Sequence, residues 1–326
     1  MESSRPKAVI AVPVPAAIAA RLAAVCEPKF VDINGVLASI SEAEGLLCPA
    51  PFPISRELLD LAPRLRVVSN FGVGFNNVDL VEMGRRGIAV CNTPGVLTEA
   101  VADLTIAMML MASRGLVANS QFAGGQSWSS GAQAPDLGWD VQRKTLGLVG
   151  FGRIGRAVAL RARAFGMNVA FYDTFASPGP GWEYCQPLGL HELLATSDVV
   201  SLHVNLTPET VDLIGADQIG LMKPSAWLLN TSRGPVIDQA ALVRALQSNA
   251  IAGAVLDVLE VEPPPASDPI LGLDNAILLP HIGSATVETR AAMLDLAVNN
   301  LCAVLNGERP PECVNPEVLE RALKRR

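Results

Sequence analysis

The chain has 326 residues, of which 50% are hydrophobic and 17% charged, with a formal net charge of −7. That much apolar material excludes a disordered chain, and a length beyond the ~250–300 residues at which single cores stop growing calls for two domains. The acidic balance excludes a nucleic-acid backbone or an anionic membrane as the main partner, because both need a basic surface.

The first run, "AVIAVPVPAAIAARLAAV" after Arg5 and Lys7, could imitate a secretion signal, but Pro13 and Pro15 interrupt it, and it reads as a strand followed by a helix. Strand-like runs follow at "GLLCPA", "LRVVSN" and "GIAVCNT", a first small α/β alternation. "LTEAVADLTIAMMLMASRG" has helical character. Its apolar centre is shorter than the ~20 residues of a membrane span and is flanked by Asp103 and Arg114, so it reads as a buried helix. "AGGQSWSSGAQAPDLGWD" reads as an irregular surface excursion. From residue 144, "KTLGLVG", "IGRAVALRARAFG" and "NVAFYD" make a βαβ unit, with Gly166 where a helix end wants a left-handed residue. Strands at "DVVSLHV", "AWLLN", "IAGAVLDV" and "AILLP", separated by helix formers such as "DQAALVRALQSN", extend it into a parallel, doubly wound sheet. A last long helix, "ATVETRAAMLDLAVNNLCAVLNG", returns the chain to its first domain. The domains are therefore 1–100 plus 286–326, and 101–285. Cysteines 26, 48, 91, 185, 302 and 313 include no CxxC pair and no histidine at metal-ligand spacing, so they read as reduced thiols of a cytoplasmic protein, with no metal.

Within the βαβ unit stands "GLVGFGRIGRAVA", with glycines at 150, 152 and 155. A GxGxxG match alone is weak. Here it leaves a strand, opens a helix, and precedes Asp173 by 18 residues, counted from Gly155. Gly150 permits the tight turn, Gly152 lets the backbone approach a pyrophosphate, and Gly155 lets helix and strand pack closely. The amides of Arg153 and Ile154 then face the anion at the positive end of the helix. Arg153 either adds a side-chain contact or is an exposed helix-start residue. Asp173 would accept the ribose hydroxyls and repel a 2′-phosphate. No Lys or Arg lies between Asp173 and Tyr184, which favours NAD over NADP.

In an open parallel sheet the ligand lies beyond the carboxyl ends of the strands. Those ends carry Asp173, "HVN" at 203–205, "TSRG" at 231–234, "DVLEVE" at 257–262 and "HIGS" at 281–284. No serine stands in a GxSxG elbow, so a hydrolase is disfavoured. Arg233, Glu262 and His281 instead form a set suited to redox chemistry on an anionic carbonyl compound. His203 reads as a structural contact near the cofactor, His191 as a surface residue and Glu260 as a solvated neighbour of Glu262.

The stretches "FGVGFNNVD", "NTPGVLTEAVADL", "GLVGFGRIGRA", "LNTSRGPVID", "GAVLDVLEVEP" and "LLPHIGSAT" resemble, in the same order, those of the D-isomer-specific 2-hydroxyacid dehydrogenases, nearest to glyoxylate, hydroxypyruvate and hydroxyphenylpyruvate reductases. The resemblance spans residues from about 66 to 290. It implies an α/β fold in which a Rossmann-type, doubly wound parallel sheet is inserted into a smaller flavodoxin-like substrate domain. It also implies a cytoplasmic homodimer that moves a hydride from NADH to C2 of a small 2-keto acid and yields a D-2-hydroxy acid. Arg233 would hold the substrate carboxylate and polarise the keto oxygen, His281 would be the general acid and Glu262 would orient the imidazole. The backbone amides of Val73 and Gly74 would bind the carboxylate. Thr231 and Asp257 would contact the nicotinamide half, Gly283 would line it, and Val204 and Asn205 would sit beside the cofactor. Phe75 and Asn76 stand where the family more often has Tyr and Asp, Asn205 where Pro is usual, and Leu259 where Phe is usual. These departures bear on pocket shape, and "CPAPFPIS", with Phe52, reads as a stiff apolar wall. Two other readings share the fold: an NAD-sensing, corepressor-like binding module, and a reductase of bulkier aromatic 2-keto acids.

Overall fold

The computed structural model describes residues 5–133 and 137–324. The chain divides into two compact units, Met1–Leu97 with Thr286–Arg326, and Thr98–Ala285.

The first unit is built on five strands: β1 (Lys7–Ile10), β2 (Glu27–Phe30), β3 (Gly45–Pro49), β4 (Val67–Phe71) and β5 (Ala89–Cys91). Their order is β2-β1-β3-β4-β5 and every pairing is parallel, the flavodoxin-like arrangement. Strands covered on both faces must be apolar throughout, and β3 and β4 each bury four of five residues. The returning helix Val287–Asn306 lies on one face, where Ser69 Oγ donates to the Ala297 carbonyl at 2.8 Å. Asp79 caps the helix Leu80–Arg86 through the Glu82 amide, and Gly87 ends it with a φ of 67°.

The second unit carries β6 (Thr145–Val149), β7 (Asn168–Tyr172), β8 (Cys185–Pro187), β9 (Val199–Leu202), β10 (Trp227–Asn230), β11 (Gly253–Leu256) and β12 (Ala276–Leu278). All seven run parallel in the order β12-β11-β10-β9-β6-β7-β8. The order reverses between β6 and β9, which puts the ligand crevice of a doubly wound sheet outside the ends of those two strands. Helix Thr98–Arg114 turns Ala102, Met108 and Met109 into the core, as a buried helix should. Phe151 stacks on Phe171 at 4.0 Å between ring centroids, both fully buried; each such side chain contributes ~1.5–3 kcal/mol to folding.

Two expectations change. The stretch from Ala123 is not wholly irregular: it ends one helix, Leu116–Gly124, and forms a short one, Gln126–Ser129, while its residues 134–136 lie outside the described residues. Phe52, read as part of a stiff apolar wall, turns its ring inward. It is 9% exposed and packs into the core of the first unit, anchoring its loop from within.

Candidate active site

Each residue singled out in the second unit follows the carboxyl end of a strand. After β6, Gly150 adopts a φ of +102°, which only glycine takes without strain, and a Cβ there would lie 2.7 Å from the His203 carbonyl carbon. At Gly155 a Cβ would meet the Gly150 carbonyl oxygen at 2.2 Å, so the glycine sets the helix against the strand. A Cβ on Gly152 would meet nothing within 4 Å; the loop leaves open room in front of the first amides of helix Arg153–Ala164. A pyrophosphate fits this arrangement of open space, unpaired helix-start amides and positive dipole end.

Asp173, beyond β7, is held more tightly than the motif alone implies. One carboxylate oxygen accepts from the Phe151 amide at 2.7 Å, and the other from the amides of Phe175 and Ala176, both at 2.8 Å. Burial pushes this carboxyl up, but the three amides and nearby Arg156 outweigh it and hold it below the ordinary aspartate value. Arg156 is a cation near Asp173 that lies outside the stretch between Asp173 and Tyr184. It arrives from the helix rather than from the 174–183 loop, lies over the Phe151 ring at 4.4 Å, and donates to the carbonyls of Ser177 and Pro178 at 2.7 and 3.0 Å. Arg153 is exposed at the helix start, and His191 on helix Leu190–Thr196 is exposed as well.

After β9, His203 Nε2 meets Ser201 Oγ at 2.9 Å, and burial pushes the imidazole down to about 3. Its Nδ1 is buried with no hydrogen-bond partner among the described residues. Val204 is half-buried beside it and Asn205 is exposed. Thr231, after β10, is half-buried, with its hydroxyl 3.3 Å from that of Thr105.

Arg233, Glu262 and His281 come together. Buried Asn230 shapes the Arg233 turn: its Nδ2 donates to the Arg233 carbonyl at 2.9 Å, while its oxygen accepts from the Ser232 amide and hydroxyl at 2.9 and 2.8 Å. The next residue must be glycine, because a Cβ on Gly234 would lie 1.9 Å from the Leu259 carbonyl carbon. This close approach brings the arginine turn against the loop that carries Glu262. Burial pushes the Arg233 guanidinium below its usual range, and the Glu262 charge opposes that shift.

Glu262 Oε2 lies 2.7 Å from His281 Nδ1, and Oε1 accepts from the Leu259 amide at 3.0 Å. Burial pushes the Glu262 carboxyl up, but the His281 hydrogen bond and charge, the Leu259 amide and Arg233 together hold it below the ordinary glutamate value. An ionised carboxylate only accepts, so the Nδ1 proton belongs to this bond and Nε2 is left for a reactant.

His281 has a φ of +53°, a left-handed conformation that costs a non-glycine residue ~1–2 kcal/mol. Asp257, after β11, holds it there. Its carbonyl accepts from the His281 amide at 2.9 Å, and its carboxylate accepts from Ile282 and Gly283 at 2.7 and 2.8 Å. Asp257 is 1% exposed, and burial pushes its carboxyl above the ordinary value despite those amides. Strain maintained by a buried carboxylate is a mark of a functional loop. Gly283 is buried against Asp257 and Val101.

In the first unit, Val73 and Gly74 are half-buried in the loop that leaves β4. Sequence reasoning missed what shapes this loop, namely the side chains of Asn70, Asn77 and Asn92. Asn230, Asp257 in its loop-holding role, and Arg156 were missed in the same way. Among the described residues no group of three or more His, Cys, Asp or Glu side chains is placed to hold a metal ion. The six cysteines are free thiols, and burial pushes Cys26 and Cys48 up to about 12, outside the reactive range.

A family model described as "D-isomer specific 2-hydroxyacid dehydrogenase, NAD binding domain" matches residues 106–283. The chain is 45% identical over 291 residues to a glyoxylate reductase of Korarchaeum cryptofilum, covering 87% of this chain and 86% of that one. A crystal structure of an NADPH-dependent glyoxylate/hydroxypyruvate reductase from Sinorhizobium meliloti, in complex with NADP and malonate, superposes with a TM-score of 0.87 at 35% identity, over 96% of this chain and 98% of that chain. The D-lactate dehydrogenase of Aquifex aeolicus, complexed with NAD and lactic acid, superposes with a TM-score of 0.84 at 30% identity, over 95% and 99%.

Proposed function

Because this chain belongs to the D-isomer-specific 2-hydroxyacid dehydrogenase family, we propose that it reduces glyoxylate and hydroxypyruvate at C2, with NADH as the preferred donor, to the D-2-hydroxy acid. It is an NAD(P)-dependent oxidoreductase that reduces small 2-keto acids to 2-hydroxy acids. The observation that carries the residue assignment is the 2.7 Å bond between His281 Nδ1 and Glu262 Oε2, in the same electrostatic group as Arg233.

The amides of Arg153 and Ile154, beside Gly150, Gly152 and Gly155, would hold the pyrophosphate of the dinucleotide. Asp173 would take the ribose hydroxyls with the lone pairs that its three amide partners leave. Val204, Asn205, Thr231, Asp257 and Gly283 would bound the nicotinamide half, which would supply the hydride. Arg233 takes the substrate carboxylate and keto oxygen with its forked donors, drawing electron density off C2. As C2 becomes tetrahedral, negative charge grows on its oxygen, and His281 delivers the Nε2 proton to it. Glu262 keeps the ring aligned and balances its positive charge before the transfer. In the oxidative direction neutral His281 removes the hydroxyl proton. Val73 and Gly74 offer their amides to the carboxylate. A cytoplasmic homodimer is the setting this reading carries over from the family.

Initial rates of NADH oxidation with glyoxylate, hydroxypyruvate, pyruvate and phenylpyruvate, repeated with NADPH, test the reading. The two small acids should give the highest kcat/KM. NADH should exceed NADPH by about tenfold or more, the ~1.4 kcal/mol that a carboxylate at Asp173 sets against a 2′-phosphate. Tight NAD binding without turnover of any of the four would support the sensing module instead. Preference for phenylpyruvate would support the aromatic reductase.

A further inference from the structure

Three successive carbonyls in the loop after β4 are each pinned by a different donor. The Gly72 oxygen accepts from the Thr93 amide at 2.9 Å, the Val73 oxygen from Asn92 Nδ2 at 2.7 Å, and the Gly74 oxygen from Asn70 Nδ2 at 3.4 Å. In a planar trans peptide the N–H points opposite to the C=O it shares. Fixing those three oxygens therefore aims the N–H groups of Val73, Gly74 and Phe75 the other way, and none of the three makes a hydrogen bond among the described residues. Successive amides of this kind form an anion-binding concavity.

The pinning side chains are themselves fixed. Asn70 and Asn77 exchange two bonds, Asn70 Nδ2 to Asn77 Oδ1 at 3.0 Å and Asn77 Nδ2 to Asn70 Oδ1 at 3.3 Å. Asn77 Nδ2 also donates to the Phe52 carbonyl at 2.7 Å, which ties the loop to the segment that Phe52 anchors in the core. Asn300, fully buried on helix Val287–Asn306, donates to the Asn92 carbonyl at 2.9 Å and accepts from the Glu312 amide at 2.9 Å. Asn70 is fully buried and Asn92 is 8% exposed. Amides removed from water in this way cost free energy unless bonded, and leucine would fill the same volume without that cost. What the asparagines supply is direction, and they supply it to the backbone that carries Val73 and Gly74.

We propose that Asn70, Asn77 and Asn92 are positioning residues that preset a cradle of three main-chain amides, Val73, Gly74 and Phe75, for the substrate carboxylate. This rests on the reading of Val73 and Gly74 as carboxylate donors and adds the Phe75 amide and the side chains that aim the Gly74 and Phe75 amides, the Val73 amide being aimed by the Thr93 backbone. The cradle is built before substrate arrives, so binding spends little on ordering the loop. Loss of a pinning amide should weaken a contact made to the carboxylate in ground state and transition state alike, which raises KM and spares kcat.

The test uses the full-length enzyme with Asn92→Ala and Asn77→Ala, assayed with glyoxylate and with its uncharged methyl ester. Circular dichroism and thermal melting check the fold. The proposal expects the KM for glyoxylate to rise about tenfold or more, with kcat and the KM for NADH within about twofold and the KM for the ester unmoved. If Asn92→Ala does not fold, Asn77→Ala carries the test, since it removes the partner that aligns Asn70 and leaves buried Asn70 and Asn92 in place. A glyoxylate KM within about twofold of wild type in a folded variant overturns the clamp and leaves the reductase reading intact. An equal rise for acid and ester overturns the carboxylate cradle. Wild-type enzyme that reduces none of the 2-keto acids overturns the reading itself, and with it the clamp.

Discussion

Replacing His281 with alanine is expected to lower kcat for glyoxylate reduction by about 10²–10⁴-fold, the range that a positioned general acid contributes, while NADH still binds. Two losses combine. The reacting oxygen has no proton to take as negative charge builds on it, and Glu262 keeps its carboxylate without the ring that balanced it. The charge left on Glu262 then opposes the growing alkoxide. Alanine also inherits the left-handed backbone at φ +53°, so His281→Asn is the companion variant, because asparagine tolerates that conformation. Both should fail alike in single-turnover stopped-flow, with NADH affinity followed by fluorescence quenching. Recovery of turnover in the asparagine variant would shift the defect from the proton to the backbone.

Arg233→Lys should cost about 100-fold in kcat/KM although the charge is kept. Each charge-assisted hydrogen bond is worth ~1.5–3 kcal/mol, and a lysine ammonium cannot present two parallel donors to a carboxylate and its adjacent keto oxygen. Burial adds to the difference. It pushes cations toward the neutral form, and a guanidinium starts high enough to stay charged where an ammonium is more easily discharged. Both kcat and KM should worsen, since Arg233 meets the substrate carboxylate before reaction and the oxygen's growing charge during it. A rise in KM alone would confine Arg233 to binding. An unchanged kcat/KM would remove it from the site.

The apolar strands of both sheets were legible because a strand buried on two faces is a continuous hydrophobic run, and the site residues were legible because they stand at the ends of those runs. Two of the edge strands, β2 and β8, were not. "EPKF" of β2 is charged, carries a proline and leaves most of its length exposed, and "CQP" of β8 has only three residues. Neither has the apolar pattern that marks a strand, and proline is tolerated there because an edge has no second ladder to satisfy. The glycine roles at 150 and 155 followed from a local motif. The supports of the site did not, because Asp257 acts on residues 25 and 26 positions away and Asn300 on one 208 positions away. Arg156 was not legible either, because the loop after Asp173 holds no Lys or Arg and the guanidinium comes from the preceding helix. Phe52 and its prolines read as a stiff apolar wall, and the ring, 9% exposed, packs into the core of its own unit through contacts that the sequence does not display.

Joint action of Arg233 and the Glu262-supported His281 on one carbonyl oxygen is open to view in a crystal structure with NADH and oxamate, an unreactive isostere of a 2-keto acid. That structure should show the oxamate carbonyl oxygen within hydrogen-bond distance of both the Arg233 guanidinium and His281 Nε2, with Nδ1 still on Glu262. Oxamate bound with its carbonyl oxygen on neither group, or on one while the other points to solvent, would rule out that joint action.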